Sequence, residues 1–156
     1  MIKRILQYPN PSLRKAPERV EIYSDITSEC FDDMYDSLQS IPRGAALAAN
    51  QIGYDVNMFL MRVDIAEAHD LPQWIINPEI LDFGKYIDVK EEGCLSFMDF
   101  KTQVPRHRKI EVLYTDVSGQ HKKVKLKNFI ARLFQHEMEH LQGKVFIDHA
   151  QYVRKG

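Results

Sequence analysis

The sequence predicts an α+β fold: a mostly antiparallel sheet wrapped around a C-terminal helix, in one domain covering residues 1–156. Two helical patterns and a set of short strand-like runs between them predict it. At this length one core is large enough to fold without disulfide or metal staples.

The elements follow in order. Ile26, Cys30, Met34, Leu38 and Ile41 recur at spacings of three and four, with Asp25, Glu29, Asp32, Asp33 and Asp36 between them. That pattern predicts an amphipathic helix over Asp25–Ser40, ended by Pro42 and Gly44. Val56–Val63 reads as a buried strand, followed by a polar loop over Asp64–Pro72. Trp74–Ile76, Ile80–Phe83 and Tyr86–Glu91 read as short strands. Ile110–Thr115 and Val124–Leu126 flank Asp116-Val117-Ser118-Gly119, which predicts a hairpin. The last helix has Asn128 as its expected N-cap and Gly143 as its C′ residue, with Phe129, Leu133, His136 and His140 on one face.

Composition excludes more than it assigns. With a net charge of −1 no strong polyanion partner is implied, and no sequence-specific nucleic acid is expected as a partner. No apolar run approaches the roughly eighteen residues of a membrane span, and the first residues lack a signal-peptide pattern. The expectation is a soluble cytoplasmic protein. Two cysteines, Cys30 and Cys94, make no disulfide framework; Cys30 sits on the apolar face of the first helix as a small buried hydrophobe. Lys122-Lys123-Val124-Lys125-Leu126-Lys127 reads as a strand with solvated lysines rather than an RNA-binding patch.

Chemistry enters at residues 136–140, His-Glu-Met-Glu-His. On a helix, positions i and i+4 project about 40° apart, so His136 and His140 can share one metal ion. Glu137 then stands beside a metal-bound water without being a ligand. The two-histidine motif needs a third donor. In metzincins the run extends to a third His, but Phe146 stands there. Thermolysin-like proteins use a downstream Glu, and residues 141–156 contain none. Asp148 and His149 remain as nearby alternatives, and Cys94 is the strong upstream candidate. Taken alone, such a cysteine is ordinarily a buried structural thiol.

Three segments carry a resemblance: Gly44-Ala45-Ala46-Leu47-Ala48-Ala49-Asn50-Gln51, Glu92-Gly93-Cys94-Leu95-Ser96, and Gln135-His136-Glu137-Met138-Glu139-His140. In order and spacing they resemble the signature motifs of peptide deformylases. Tyr8-Pro9-Asn10-Pro11-Ser12-Leu13-Arg14 and Val104-Pro105-Arg106 are similar to further parts of that family, from about Ile5 to about Asp148. The resemblance implies hydrolysis of the N-formyl group of N-formylmethionyl peptides of nascent chains, with transient contact to the ribosome. It implies Cys94, His136 and His140 as ligands of one divalent ion, Fe2+ by family, with Zn2+, Ni2+ or Co2+ as alternatives that the ligands do not exclude. It gives Glu137 the proton transfer, and the Gln51 amide and Leu95 N–H the oxyanion. Gly44, Ala45 and Ala46 would pair the substrate as an added strand, and Phe129 and Leu133 would line a methionine pocket while also serving the core.

Several letters depart from the family pattern. Ala46 replaces a usual Gly; an ordinary negative φ is expected there, with close backbone approach as the reason for the Gly. Arg132 replaces a commonly apolar residue beside the methionine pocket, Ser96-Phe97-Met98-Asp99 lacks a frequent proline, and with thirteen residues after Gly143 the extra C-terminal helix of many bacterial members is not expected. Two rival readings are a metallopeptidase that uses the HExxH motif differently and a deformylase-like peptide-binding module with weak activity. Assaying formylated and unformylated peptides side by side separates them, because a peptidase cuts internal bonds and a binding module turns over neither.

Overall fold

In the computed structural model, which describes residues 1–146, 148–149 and 153–155, two antiparallel sheets meet around one helix. The five-stranded sheet runs in the order β1 (Ala46–Ala48), β2 (Met58–Met61), β3 (Trp74–Phe83), β6 (Lys109–Thr115), β7 (His121–Lys127). The second sheet runs β4 (Ile87–Cys94), β5 (Phe97–His107), β8 (Val153–Lys155). The helices are α1 (Ser28–Gln39), α2 (Val63–Ala68) and α3 (Phe129–His140), and α3 packs on β1, β5 and β7. The expected α+β class, with a mostly antiparallel sheet around the C-terminal helix, is the one observed.

Alternation in β1 and β2 explains why the larger sheet is covered on both faces. Leu47, Met58 and Leu60 point to one side and pack with Cys30, Met34 and Leu38 of α1. Ala46, Ala48, Phe59 and Met61 point to the other and pack with Ala131, Phe134 and Met138 of α3. Phe59 and Phe134 meet edge to face at 5.0 Å, and truncating either to Ala would cost about 3–5 kcal/mol.

The expected helix from Asp25 begins later, at Ser28. Tyr23–Asp25 forms a separate 3-10 turn, and the Thr27 hydroxyl caps α1 by accepting from the Cys30 N–H at 3.2 Å. The expected polar loop over Asp64–Pro72 contains α2, and the strand expected over Val56–Val63 narrows to β2. β3 is one strand where two were expected; it continues through Asn77-Pro78 by register shifts, with Asn77 at φ 49°. β4 extends past Glu91 to Cys94. β5 was not expected at all: its inward positions Thr102, Val104 and Arg106 are buried, and two of them are polar. The β6–β7 hairpin forms as expected, with the β7 lysines exposed and Leu126 turned inward.

Both expected ends of α3 are recognisable. Asn128 precedes the helix, but at φ 61° its side chain makes no capping bond, so it is no side-chain N-cap. Gly143 ends the helix at φ 72°: its N–H reaches His140 O at 3.0 Å and Lys144 N–H reaches Glu139 O at 2.9 Å. A side chain at Gly143 would bring Cβ to 2.4 Å from Arg14 O, so the N-terminal segment also needs the glycine.

Candidate metal centre

Cys94 is aimed by a local irregularity. The β4–β5 register shifts between Gly93 and Cys94, and Leu95-Ser96 turn the chain into β5. Such a shift re-aims a side chain that regular pairing would point elsewhere. Opposite it, His136 and His140 stand one turn apart on α3 with ring centroids 5.2 Å apart. Cys94 Sγ lies 3.3 Å from His140 Nε2, and one donor atom from each of the three residues falls within 4.8 Å of the others. Ligands on a tetrahedral ion stand roughly 3.5 Å apart, so this set fits a metal with small side-chain shifts.

The surroundings set protonation. Burial, helped by the positive charges of His136 and Arg106, pushes the His140 pKa well below its ordinary value, which keeps the imidazole neutral, the form that binds metal. Burial also opposes charge on His136, but hydrogen bonds to Cys94 and Glu92 outweigh it and raise that pKa. His136 Nδ1 lies 2.8 Å from Glu92 Oε1, which leaves Nε2 as the nitrogen for a metal. Glu92 is itself almost buried. Burial opposes its charge, yet bonds from His136 and Arg106 hold its pKa far below the carboxylate range.

Glu137 behaves in the opposite way. Burial, helped by the negative Glu92, pushes its pKa up to about 7 against the pull of His136 and Arg106. Its Oε2 is buried and has no hydrogen-bond partner among the described residues. A carboxyl that both takes and gives a proton near neutrality suits acid–base transfer.

Gln51 is buried beside the cysteine, with Nε2 3.1 Å from Ser96 Oγ and 3.9 Å from Cys94 Sγ. Its Oε1 accepts from the Ala48 N–H at 2.9 Å, which fixes the amide orientation. The N-terminal strap holds both sides of this corner: Leu6 N–H donates to Gln51 O at 2.8 Å, Tyr8 N–H to Ser96 O at 3.0 Å, and Gln7 Nε2 to Leu95 O at 2.8 Å. Asn50 Nδ2 donates to His140 O at 2.7 Å and anchors the end of α3.

These groups face a cleft of about 640 Å³. Ala45, Ala46, Gln51, Cys94, Leu95, Phe129, Leu133, His136 and Glu137 line it, with His140 buried at 1% exposure. Gly44 does not line it; its carbonyl accepts from Arg62 and its Cα packs toward Leu38. Leu133 is buried in the core as well, whereas Phe129 is 55% exposed at the rim. Ala46 has the expected ordinary φ, since the positive-φ non-glycines among the described residues are Asp70, Asn77 and Asn128. The Arg62 N–H donates to Ala45 O, so antiparallel alternation turns the Ala46 N–H and C=O away from β2, toward the open edge of the sheet.

Sequence reasoning assigned no role to Glu92, Arg106, Arg132, Glu139, Asn50 or Ser96. Glu92 and Ser96 flank Cys94 within a recognised motif, and that proximity was the available signal. The pairing of Glu92 with Arg106 and Arg132 depends on how β4, β5 and α3 come together.

A family model described as Polypeptide deformylase matches residues 2–155. The peptide deformylase of Bartonella quintana is 33% identical over 99% of this chain and 87% of its own length. That of Endomicrobium trichonymphae is 38% identical over 94% and 84%. Among solved structures, peptide deformylase from Thermotoga maritima superposes with a TM-score of 0.84 at 33% identity, covering 95% of this chain and 97% of that one.

Proposed function

The chain belongs to the peptide deformylase family, hydrolases that remove the N-formyl group from nascent polypeptides, and from that premise we propose how its residues divide the work. Cys94, His136 and His140 hold one divalent metal ion, with Fe2+ as the native ion by family. Bound there, the metal supplies Lewis acidity, polarising the formyl carbonyl and making water nucleophilic near neutral pH. Glu137 takes the proton from the attacking water and delivers it to the leaving amine, so that formamide and water become formate and a free α-amine. The Gln51 Nε2 and the Leu95 N–H donate to the oxygen that gains negative charge.

Recognition is divided between backbone and pocket. The open edge at Ala46, with Ala45 beside it, pairs the extended peptide as an added strand, which tolerates any sequence. Leu133 and the rim residue Phe129 receive the methionine side chain. Gly44 supports this segment from behind. Residues 1–156 act as one deformylase domain, in the cytoplasm, meeting the ribosome only transiently while the chain end is accessible. No helix among the described residues is long and apolar enough to cross a membrane.

The observation that carries this reading is the convergence of one thiol and two imidazoles, within 4.8 Å, on a cleft that also exposes a strand edge. The metallopeptidase and binding-module readings would use the same edge and the same Glu137; what disfavours them is the family match over residues 2–155 and the deformylase relatives. The test is Cys94→Ser with metal analysis of anaerobically purified protein and a formyl-Met-peptide assay. A neutral hydroxyl is a far poorer donor than a thiolate, so most metal and activity should be lost. Full metal occupancy in Cys94→Ser would overturn the ligand assignment.

A further inference from the structure

We propose that Arg132 is a positioning residue for the metal centre, acting through Glu92 on His136; the proposal rests on the ligand assignment above. Arg132 lies on α3 one turn before His136, where it lines the cleft and its side chain is only 13% exposed. Its guanidinium is engaged at both terminal nitrogens. Nη1 donates to Glu92 Oε2 at 2.5 Å and to Val104 O at 2.9 Å, and Nη2 donates to Asp88 O at 2.8 Å. One side chain thus ties α3 to β4 and β5.

Glu92 is the joint of this arrangement. Its Oε1 meets His136 Nδ1 and Arg106 Nη2, and its Oε2 meets Arg106 Nε and Arg132 Nη1. Arg106 cannot serve Glu92 alone, because its Nη1 also binds Glu139 Oε1 at 2.5 Å. The buried Glu92 and the half-buried Glu139 therefore stand against two guanidinium groups, and Arg132 is the one whose only carboxylate partner among the described residues is Glu92. A planar fork can hold a carboxylate oxygen and two strand carbonyls at fixed angles, which an ammonium cannot. With Glu92 held on both oxygens, the His136 ring is fixed with Nε2 presented toward Cys94 and His140. The polar residue at a commonly apolar position is thereby accounted for: its charge is committed to Glu92 and two strand carbonyls.

The test measures Zn2+ affinity by chelator competition alongside kcat and KM for a formyl-Met peptide. Arg132→Met keeps the stem and removes the fork. Its Zn2+ affinity should fall about 10-fold, with a comparable loss of kcat. KM should change less than about 2-fold, because the cleft wall is preserved. Arg132→Lys keeps the charge but not the fork and should fall between parent and Arg132→Met in Zn2+ affinity. Parent-like Zn2+ affinity in Arg132→Met overturns the proposal, as does a raised KM with unchanged Zn2+ affinity, which would make Arg132 a pocket wall only. If Arg132→Met does not fold, Arg132→Lys decides: faster Zn2+ loss from the folded protein supports the proposal and parent-like retention overturns it. Failure of the ligand assignment reads differently, as Zn2+ binding by Cys94→Ser equal to the parent's.

Discussion

Replacing Glu92 by Gln removes the charge on which three cationic or donor groups converge while leaving the shape nearly unchanged. In the native structure its two oxygens accept from Arg106 at 3.0 and 3.1 Å, from Arg132 at 2.5 Å and from His136 at 2.8 Å. Glu92 and Arg106 side chains are only 8% and 4% exposed, so water cannot take over these bonds. The amide offers one acceptor oxygen, and its NH2 group must face a guanidinium or the imidazole. Breaking a buried pair in this way costs about 3–5 kcal/mol, chiefly because the arginines are left uncompensated. At about 2–4 °C per kcal/mol for a chain of this size, Tm should fall by roughly 6–20 °C. Urea unfolding with and without saturating Zn2+ separates the two expected effects: the metal-free loss reports the ion network, and any extra loss with Zn2+ reports the His136 ligand. A metal-free loss below about 1 kcal/mol would refute the argument, since exposed pairs are worth no more than that.

Glu137→Gln should retain its metal and lose nearly all turnover, because a carboxamide cannot carry the proton; near-normal kcat in metal-replete protein contradicts the role. Ala46→Gly should lower KM for formyl-Met peptides with little change in kcat, because removing the methyl widens the groove beside the open edge without touching the metal ligands. An unchanged KM removes that reasoning. Asp33 is held below its ordinary pKa of 3.8 by hydrogen bonds from Tyr54 and from the Met1 ammonium. A carboxylate with a depressed pKa stabilises the fold above the unfolded value and loses that contribution as pH falls through the folded one. Stability should therefore drop below about pH 4, with a shallower slope in Asp33→Asn, and equal slopes in the two proteins would exclude Asp33 as a source of the acid sensitivity.

How much of this was legible in the sequence differs from element to element. α3 was readable because its apolar stripe, two histidines and closing glycine all obey one helical period. The β6–β7 hairpin was readable from its Asp116–Gly119 turn. β5 escaped because a strand whose inward residues include Thr102 and Arg106 shows no apolar alternation, and Pro105 argues against a strand. β1 escaped because Ala46-Leu47-Ala48 is too short to display a period, although its edge is the proposed substrate-pairing surface. In the site, the three candidate ligands were recognisable through their motifs. The Glu92–Arg106–Arg132–Glu139 network was not, since charge pairing between β4, β5 and α3 leaves no spacing in the chain to find.

If β1 pairs the substrate as proposed, its open edge also decides when a client can be processed. That edge needs a partner whose own N–H and C=O groups are still uncommitted, and every turn or strand a client forms at its N-terminus commits them. Local elements form within microseconds once their partners exist, but a ribosome adds only about 5–20 residues per second. A new N-terminus therefore waits on the order of seconds for the residues it will fold against. Within that interval it competes well for β1; afterwards its formyl group is sealed behind its own fold. On that reading the three-residue edge would make deformylation a race against the client's folding.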